Sequence, residues 1–182
     1  MQNINSLWAL AAALCSMFLT GCASNGSDQE AEFSRDIMVT YTLNNGEGWK
    51  KVNAGLEGWG DGVADFTLVN EQANVQIKKL ASQLWHIQLK RPLYLVEDMK
   101  YEITVEASAT EPSEVAFSVQ ENGDDYTTYF QRTEMLGVES KHYHYEFVMP
   151  QDEKKAVFAI MFGEGQPGVS YKLSDIKFNS SY

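Results

Sequence analysis

Residues 81–95 read ASQLWHIQLKRPLYL. Trp85, Ile87 and Leu89 alternate with His86, Gln88 and Lys90, and a period of two puts successive side chains on opposite faces of an extended chain. One face is apolar and the other polar, so the stretch reads as a strand with one side against a core. By that period Trp85 is one more core ring beside Ile87 and Leu89. The alternative is an aromatic platform exposed for a ligand.

The same alternation recurs in both directions along the chain. It predicts strands at 36–43, 63–70, 74–80, 83–90, 100–108, 114–120, 125–132, 143–149, 155–162 and 171–178. Between them lie the turn-forming stretches NNGEG (44–48), GLEGWGDG (55–62), TEPSE (110–114), ENGDD (121–125) and GEGQPG (163–168). No window longer than about ten residues holds a 3.6-residue apolar period. Many short strands joined by Gly, Asn, Asp and Pro turns make an all-β fold, a β-sandwich jelly roll of two sheets packed face to face. No internal repeat interrupts it.

The first 22 residues, MQNINSLWALAAALCSMFLTGC, carry an apolar run from Leu7 to Leu19. It is shorter than the roughly 20 residues a membrane-spanning helix needs. The run ends in Leu19-Thr20-Gly21-Cys22, which resembles the lipobox of bacterial lipoproteins. That resemblance implies a signal peptide over 1–21, cleavage before Cys22 and a lipid on its thiol, an anchor rather than a span. No Lys or Arg precedes the run, which departs from the usual signal peptide. Ala23 in the next position implies sorting to the outer membrane of a bacterial cell envelope. Residues 22–32 are then a polar, lipidated tether, and 33–182 form one domain of about 150 residues, enough to bury a core without staples.

Cys15 would leave with the signal peptide and Cys22 would be acylated, so the mature chain has no free thiol. Disulfides, a cysteine nucleophile and a thiolate zinc site are excluded on that count. The formal charge of −11 repels polyphosphates and excludes nucleic acid as a partner, while a neutral ligand is compatible with it. Catalytic motifs are missing too. Glu121, Asp124 and Glu146 are candidate acids, yet none stands in a recognisable motif of the paired carboxylates that glycoside hydrolysis requires. His142 and His144 share one face of a predicted strand, a spacing that suits a metal but equally suits a solvated face opposite Tyr143, Tyr145 and Phe147. ENGDD lacks the residue order of a calcium loop, and Asn122-Gly123 reads as a hairpin turn. No nucleophile elbow or phosphate loop occurs. The chain reads as a protein that is not an enzyme and requires no cofactor.

Aromatic and amide side chains cluster near the turns instead: Trp49, Trp59, Trp85, Tyr126, Tyr129 and Phe130, with Gln88 and Gln131. Aromatic planes stack on the apolar faces of sugar rings, and planar amides and arginine hydrogen-bond to hydroxyls. Core packing is the competing role for each ring, and Trp49 is assigned to it.

The order of motifs resembles the carbohydrate-binding modules of families 4 and 9, often grouped with family 22. The resemblance rests on Gly48-Trp49, Trp85-His86-Ile87-Gln88-Leu89, the run Tyr101 to Ala109, Gln120-Glu121-Asn122-Gly123, Tyr145-Glu146-Phe147, Ile160-Met161-Phe162-Gly163 and Ser174-Asp175-Ile176, and it spans about 36–178. It implies a jelly roll whose concave sheet forms a cleft for one glycan chain. It further implies that Trp85 and Gln88 lie in the cleft, that Tyr126 opposes them, and that Gln131 or Arg132 reaches sugar hydroxyls. Residues three apart cannot share a face in strict alternation, so the Trp85–Gln88 pair requires a bulge or a twist at the strand end. Met161 stands where members often carry an amide, and Asp98 where a turn glycine is usual. Ser174 replaces the first terminal aspartate of the family, leaving Asp175 as a ligand for a structural calcium. Members commonly ride on a glycosidase, which this chain lacks. The resemblance therefore implies a lipid-anchored, non-catalytic protein that holds a β-linked polysaccharide of glucan or xylan type and cooperates with separate glycosidases. An envelope lipoprotein that docks a protein through the same surface, and a small glycosidase or lyase, are the alternatives.

Overall fold

Period-two patterning predicts that each strand turns its apolar residues the same way, and the observed strands do so in two antiparallel layers. The computed structural model describes residues 40–123 and 125–181. The expected signal peptide, the Cys22 anchor, the tether and Asp124 lie outside those residues. The strands are β1 (Thr40–Thr42), β2 (Lys50–Asn53), β3 (Val63–Val69), β4 (Gln72–Lys79), β5 (Ile87–Leu95), β6 (Lys100–Ala109), β7 (Ser113–Glu121), β8 (Thr128–Leu136), β9 (Lys141–Val148), β10 (Glu153–Met161) and β11 (Ser170–Ser181). A one-turn helix, α1 (Ala54–Glu57), follows β2.

The first sheet has the order β3-β4-β11-β6-β9, with β1 also on β11. Strand β11 uses its first half for β4 (Tyr171 opposite Val75) and its second half for β1 (Thr40 opposite Asn179). The second sheet has the order β2-β5-β10-β7-β8. This is the expected β-sandwich jelly roll. Its core is the layer between the sheets. Val75, Ile77, Ile103, Val105, Tyr171 and Leu173 enter from the first sheet, and Ile87, Leu89, Phe117, Val119, Phe158 and Ile160 from the second, all fully buried. Phe158 and Phe178 meet across the layer at 5.8 Å. Phe178 also touches Tyr41, Tyr101 and Phe147. Trp49 is buried as expected, edge-on to Phe158 at 6.0 Å, with its indole N–H donating to Thr42 O.

Four local departures matter for the site. Strand β5 begins at Ile87, not at Gln83; Leu84–His86 form a 3-10 turn before it. Strand β8 begins at Thr128, and the β7–β8 connection is a loop from Asn122 to Thr127, closed by Glu121 N donating to Thr127 O at 2.8 Å, rather than a two-residue Asn-Gly turn. The stretch expected to be all loop between 44 and 62 contains β2 and α1, which apolar periodicity misses because β2 reads KKVN, a short charged edge strand. A bulge in β11 around Ser174–Asp175 lets Ile176, three residues after Leu173, stay in the core.

Two sequence oddities resolve here. Asp98 takes φ 62°, the left-handed conformation the usual glycine would supply and that aspartate tolerates. Pro92 lies in β5 beyond Lys50↔Lys90, where β2 has ended and no partner on that edge misses an N–H.

Phe178 bridges both sheets at 1% exposure. Phe178→Ala is therefore expected to lower unfolding stability by about 3–5 kcal/mol, read from urea melts; a loss below about 1 kcal/mol would show that the inter-sheet contact is not what holds the layers together.

Candidate functional site

Alternation that buries Ile87 and Leu89 turns Gln88 and Lys90 to the outer face of the second sheet. Cross-strand register extends this into rows. Gln88, Met161, Ala116 and Thr133 stand side by side, as do Lys90, Ala159, Ser118 and Gln131, and then Pro92, Val157, Gln120 and Thr128. The rows are about 7 Å apart along the strands. The two central strands contribute small or flat side chains, Ala116, Ser118 and Ala159, while the outer strands contribute longer ones. The result is a trough of about 990 Å³ across the strands.

A bulge between Val119 and Gln120 sets which residues of β8 face it. Thr128 pairs with Gln120 and Gln131 with Ser118, so both look into the trough although three residues apart. Arg132 pairs with Phe117 and takes the opposite, core-side face. There its guanidinium sits 5.4 Å from the Phe130 ring and donates to Gln131 O. The structure thus joins Trp85, Gln88, Tyr126 and Gln131 along one trough and leaves Arg132 outside it.

One wall is aromatic. Trp85 rides on the 3-10 turn rather than in the strand, so it escapes the strand's alternation and stands 49% exposed. The 3-10 turn supplies the irregularity that the Trp85–Gln88 spacing requires. Gln88 Nε2 donates to Trp85 O, tying the platform to the floor. Gln88 itself is 3% exposed, and its Oε1 has no partner among the described residues. Gly163 at the end of β10 backs the turn: its N–H donates to Leu84 O at 2.9 Å, and a Cβ there would lie 2.0 Å from Gln83 O.

Trp59, one of the aromatics near the turns, completes this wall, and His86, which has no expected role from the sequence, stands behind it. Trp59 is 52% exposed, and its indole donates to Glu57 Oε2 at 2.9 Å. His86 stands between the two indoles, edge to face at 5.5 Å from Trp59 and 6.1 Å from Trp85. Its Nδ1 contacts Asp61 Oδ1, and the same oxygen accepts from Ser82 N at 2.8 Å and Ser82 Oγ at 3.0 Å. The glycines flanking Trp59 in GLEGWGDG were the available signal, but the pairing with His86 spans 25 residues or more and no local pattern encodes it.

The opposite wall is Tyr126, 58% exposed and held at φ 54° in the β7–β8 loop. A positive φ on an aromatic residue is uncommon and strained. Tyr126 N donates to Glu121 Oε2, and Asp125 accepts from Thr127 N and Oγ1, bonds that hold its carboxyl below the usual range. Met161, 5% exposed, fills the floor between Gln88 and Ala116. The charged residues lining the trough are Lys90, Glu114 and Glu164.

Two metal readings were also placed. Asp175 is exposed at the β11 bulge with its carboxylate on Lys177 Nζ, and no group of three carboxylate or imidazole ligands among the described residues includes it. His142 stays apart from such groups, while His144 lies with Glu102 and Glu146 on the outer face of the first sheet. Lys100 Nζ, 2.8 Å from Glu146, already supplies positive charge at that spot.

The family profile described as Carbohydrate binding domain (CBM_4_9) matches residues 30–167. A solved CBM4 domain superposes with a TM-score of 0.65 at 23% identity, covering 80% of this chain and 96% of its own. The N-terminal cellulose-binding domain of Cellulomonas fimi β-1,4-glucanase C gives 0.59 at 18% identity, covering 79% and 95%. The CBM22-1 xylan-binding domain from Paenibacillus barcinonensis gives 0.53 at 12%, covering 78% and 92%. At these identities the likeness is one of fold. No curated protein matches the sequence.

Hydrogen bonds from Ser82 and His86 hold the Asp61 carboxyl at about 2, against 3.8 ordinarily. Because the folded value is the lower one, this link adds stability above the unfolded value and loses it as pH falls toward 2. NMR titration of Asp61 is expected to give that low midpoint; an ordinary aspartate midpoint would dissolve the proposed clamp on His86.

Proposed function

The chain belongs to the CBM_4_9 family of carbohydrate-binding domains, and from that premise we propose that it is a non-catalytic module holding a single β-linked polysaccharide chain, of glucan or xylan type, along the trough of the second sheet. The observation that carries this reading is the pair of exposed aromatic walls, Trp85 with Trp59 facing Tyr126, across a floor of small residues and amides. Exposed large rings are costly on a monomer surface unless a ligand covers them. Here they flank a trough whose floor presents Gln120 and Gln131, with the unpartnered Oε1 of the buried Gln88 beside them.

In this reading Trp85 and Tyr126 stack on pyranose faces, Gln88 and Gln131 bond to hydroxyls, and Trp59 extends the platform. Gln88 is oriented before any ligand arrives, because Trp85 O already accepts from its amide nitrogen. A fixed amide loses little rotamer freedom on binding. The choice of glucan or xylan draws on the cellulose- and xylan-binding relatives of like fold. Further parts of the proposal rest on the sequence: an anchor at Cys22, a tether over 22–32, residence at the bacterial outer membrane, and cooperation with separate glycosidases.

Stacking contributes on the order of 1 kcal/mol per ring beyond burial, so micromolar affinity is expected. Trp85→Ala and Tyr126→Ala should each weaken retardation in polysaccharide affinity gels by roughly tenfold while leaving the thermal transition in place. Full retardation by a folded double variant would remove the trough as the binding site. Separately, Cys22→Ser is expected to release the protein from the membrane fraction, and an unchanged distribution would remove the anchor.

A further inference from the structure

Lys90 stands in the middle row of the trough, between Lys50 on the edge strand β2 and the methyl of Ala159. Lys50 and Lys90 are directly opposite each other, so both lysines of this pair project from the same face. Like charges so placed are destabilising, and this occurs in a chain with 14 basic against 25 acidic residues. Such a chain has carboxylates to spare, yet among the described residues neither lysine makes an ion pair.

The surroundings of Lys90 sharpen this. Its ammonium makes one long hydrogen bond, 3.4 Å to Asn122 Oδ1 in the loop that carries Tyr126. Burial holds it below the usual lysine range; Glu57 attracts it and Lys50 repels it. Glu57 accepts from Asn53 N and from the Trp59 indole and keeps its charge, and it makes no direct bond to Lys90. The neighbours on the floor, Ala159 and then Ser118, leave open space beside the ammonium. The ammonium is partly desolvated, attracted by Glu57 more than Lys50 repels it, bonded to no carboxylate among the described residues, and open to the trough, where its remaining N–H donors can receive an anion.

We infer that the β2–β5 end of the trough is an anion subsite, in which Lys90, supported by Lys50, takes the carboxylate of a uronic acid residue carried by the bound polysaccharide. The inference rests on the trough being the glycan site and adds the class of sugar. Glu114 and Glu164, which also line the trough, lie on β7 and after β10 past the row of Gln88, Met161 and Ala116, more than one row along the strands from Lys90. The carboxylate is thereby directed to one end of the trough, which gives the bound chain a register.

The test uses glucuronoxylan and mannuronate-rich alginate, each beside its carboxyl-reduced counterpart, which keeps the backbone and removes the charge, together with a neutral β-glucan. Affinity electrophoresis of the protein is expected to give at least one acidic polymer bound about tenfold more tightly than its reduced form, with the ratio shrinking at high salt. In Lys90→Gln that ratio should fall to about one, and in Lys50→Gln it should fall part of the way. Equal retardation by every acidic polymer and its reduced form overturns the subsite and leaves the glycan trough standing. A preference that survives in Lys90→Gln also overturns it. Absence of retardation by every polymer overturns the glycan reading and the subsite together.

Discussion

Phe158 and Phe178 come from different sheets and meet at 5.8 Å in the middle of the sandwich. Everything functional on the second sheet depends on that layer being filled. With Phe158 and Ile160 turned inward, Ala159 and Met161 must face out; with Phe117 and Val119 inward, Ala116, Ser118 and Gln120 face out. The trough floor is therefore the reverse side of the core pattern. A slip of one residue in any central strand would exchange the two.

The walls obey a different constraint. Alternation can dictate which face a strand residue takes, but a binding cleft also needs side chains that rise above the sheet. Here they come from segments where alternation is broken. Trp85 stands on a 3-10 turn held by Gln88, Leu84 and Gly163, Trp59 follows α1 and is held by Glu57, and Tyr126 occupies a positive-φ position held by Glu121. Each ring is fastened through a hydrogen bond of its own or of its backbone, and His86, fixed by Asp61, spaces the two indoles. Rings on loops would otherwise lose rotamer and backbone freedom on binding; held in advance, they lose less.

Charge gives the trough polarity, with Lys90 in one row and Glu114 and Glu164 elsewhere along its lining. The chain is acidic as a whole, and Lys90, with Lys50 opposite it on β2, is the cation that lines the trough among the described residues. The side chain of Lys90 links the two halves of the site, rooted in the strand that follows Trp85 and reaching the loop that precedes Tyr126.

The sequence by itself determined most of the strands and the inward residues, because a period of two and turn-forming residues are local properties; Trp85, Gln88, Tyr126 and Gln131 were named by the family resemblance, not by that period. It assigned Trp49 to the core, and it flagged that Trp85 and Gln88 could not both obey one strand. It could not say that the strand starts at Ile87, that the bulge in β8 turns Thr128 and Gln131 inward to the trough while sending Arg132 to the other face, or that Trp59 and His86 join Trp85. Nor could it pair Lys50 with Lys90 across strands 40 residues apart in the chain. These are consequences of cross-strand register and of contacts between distant turns, which only the packing of the two sheets decides.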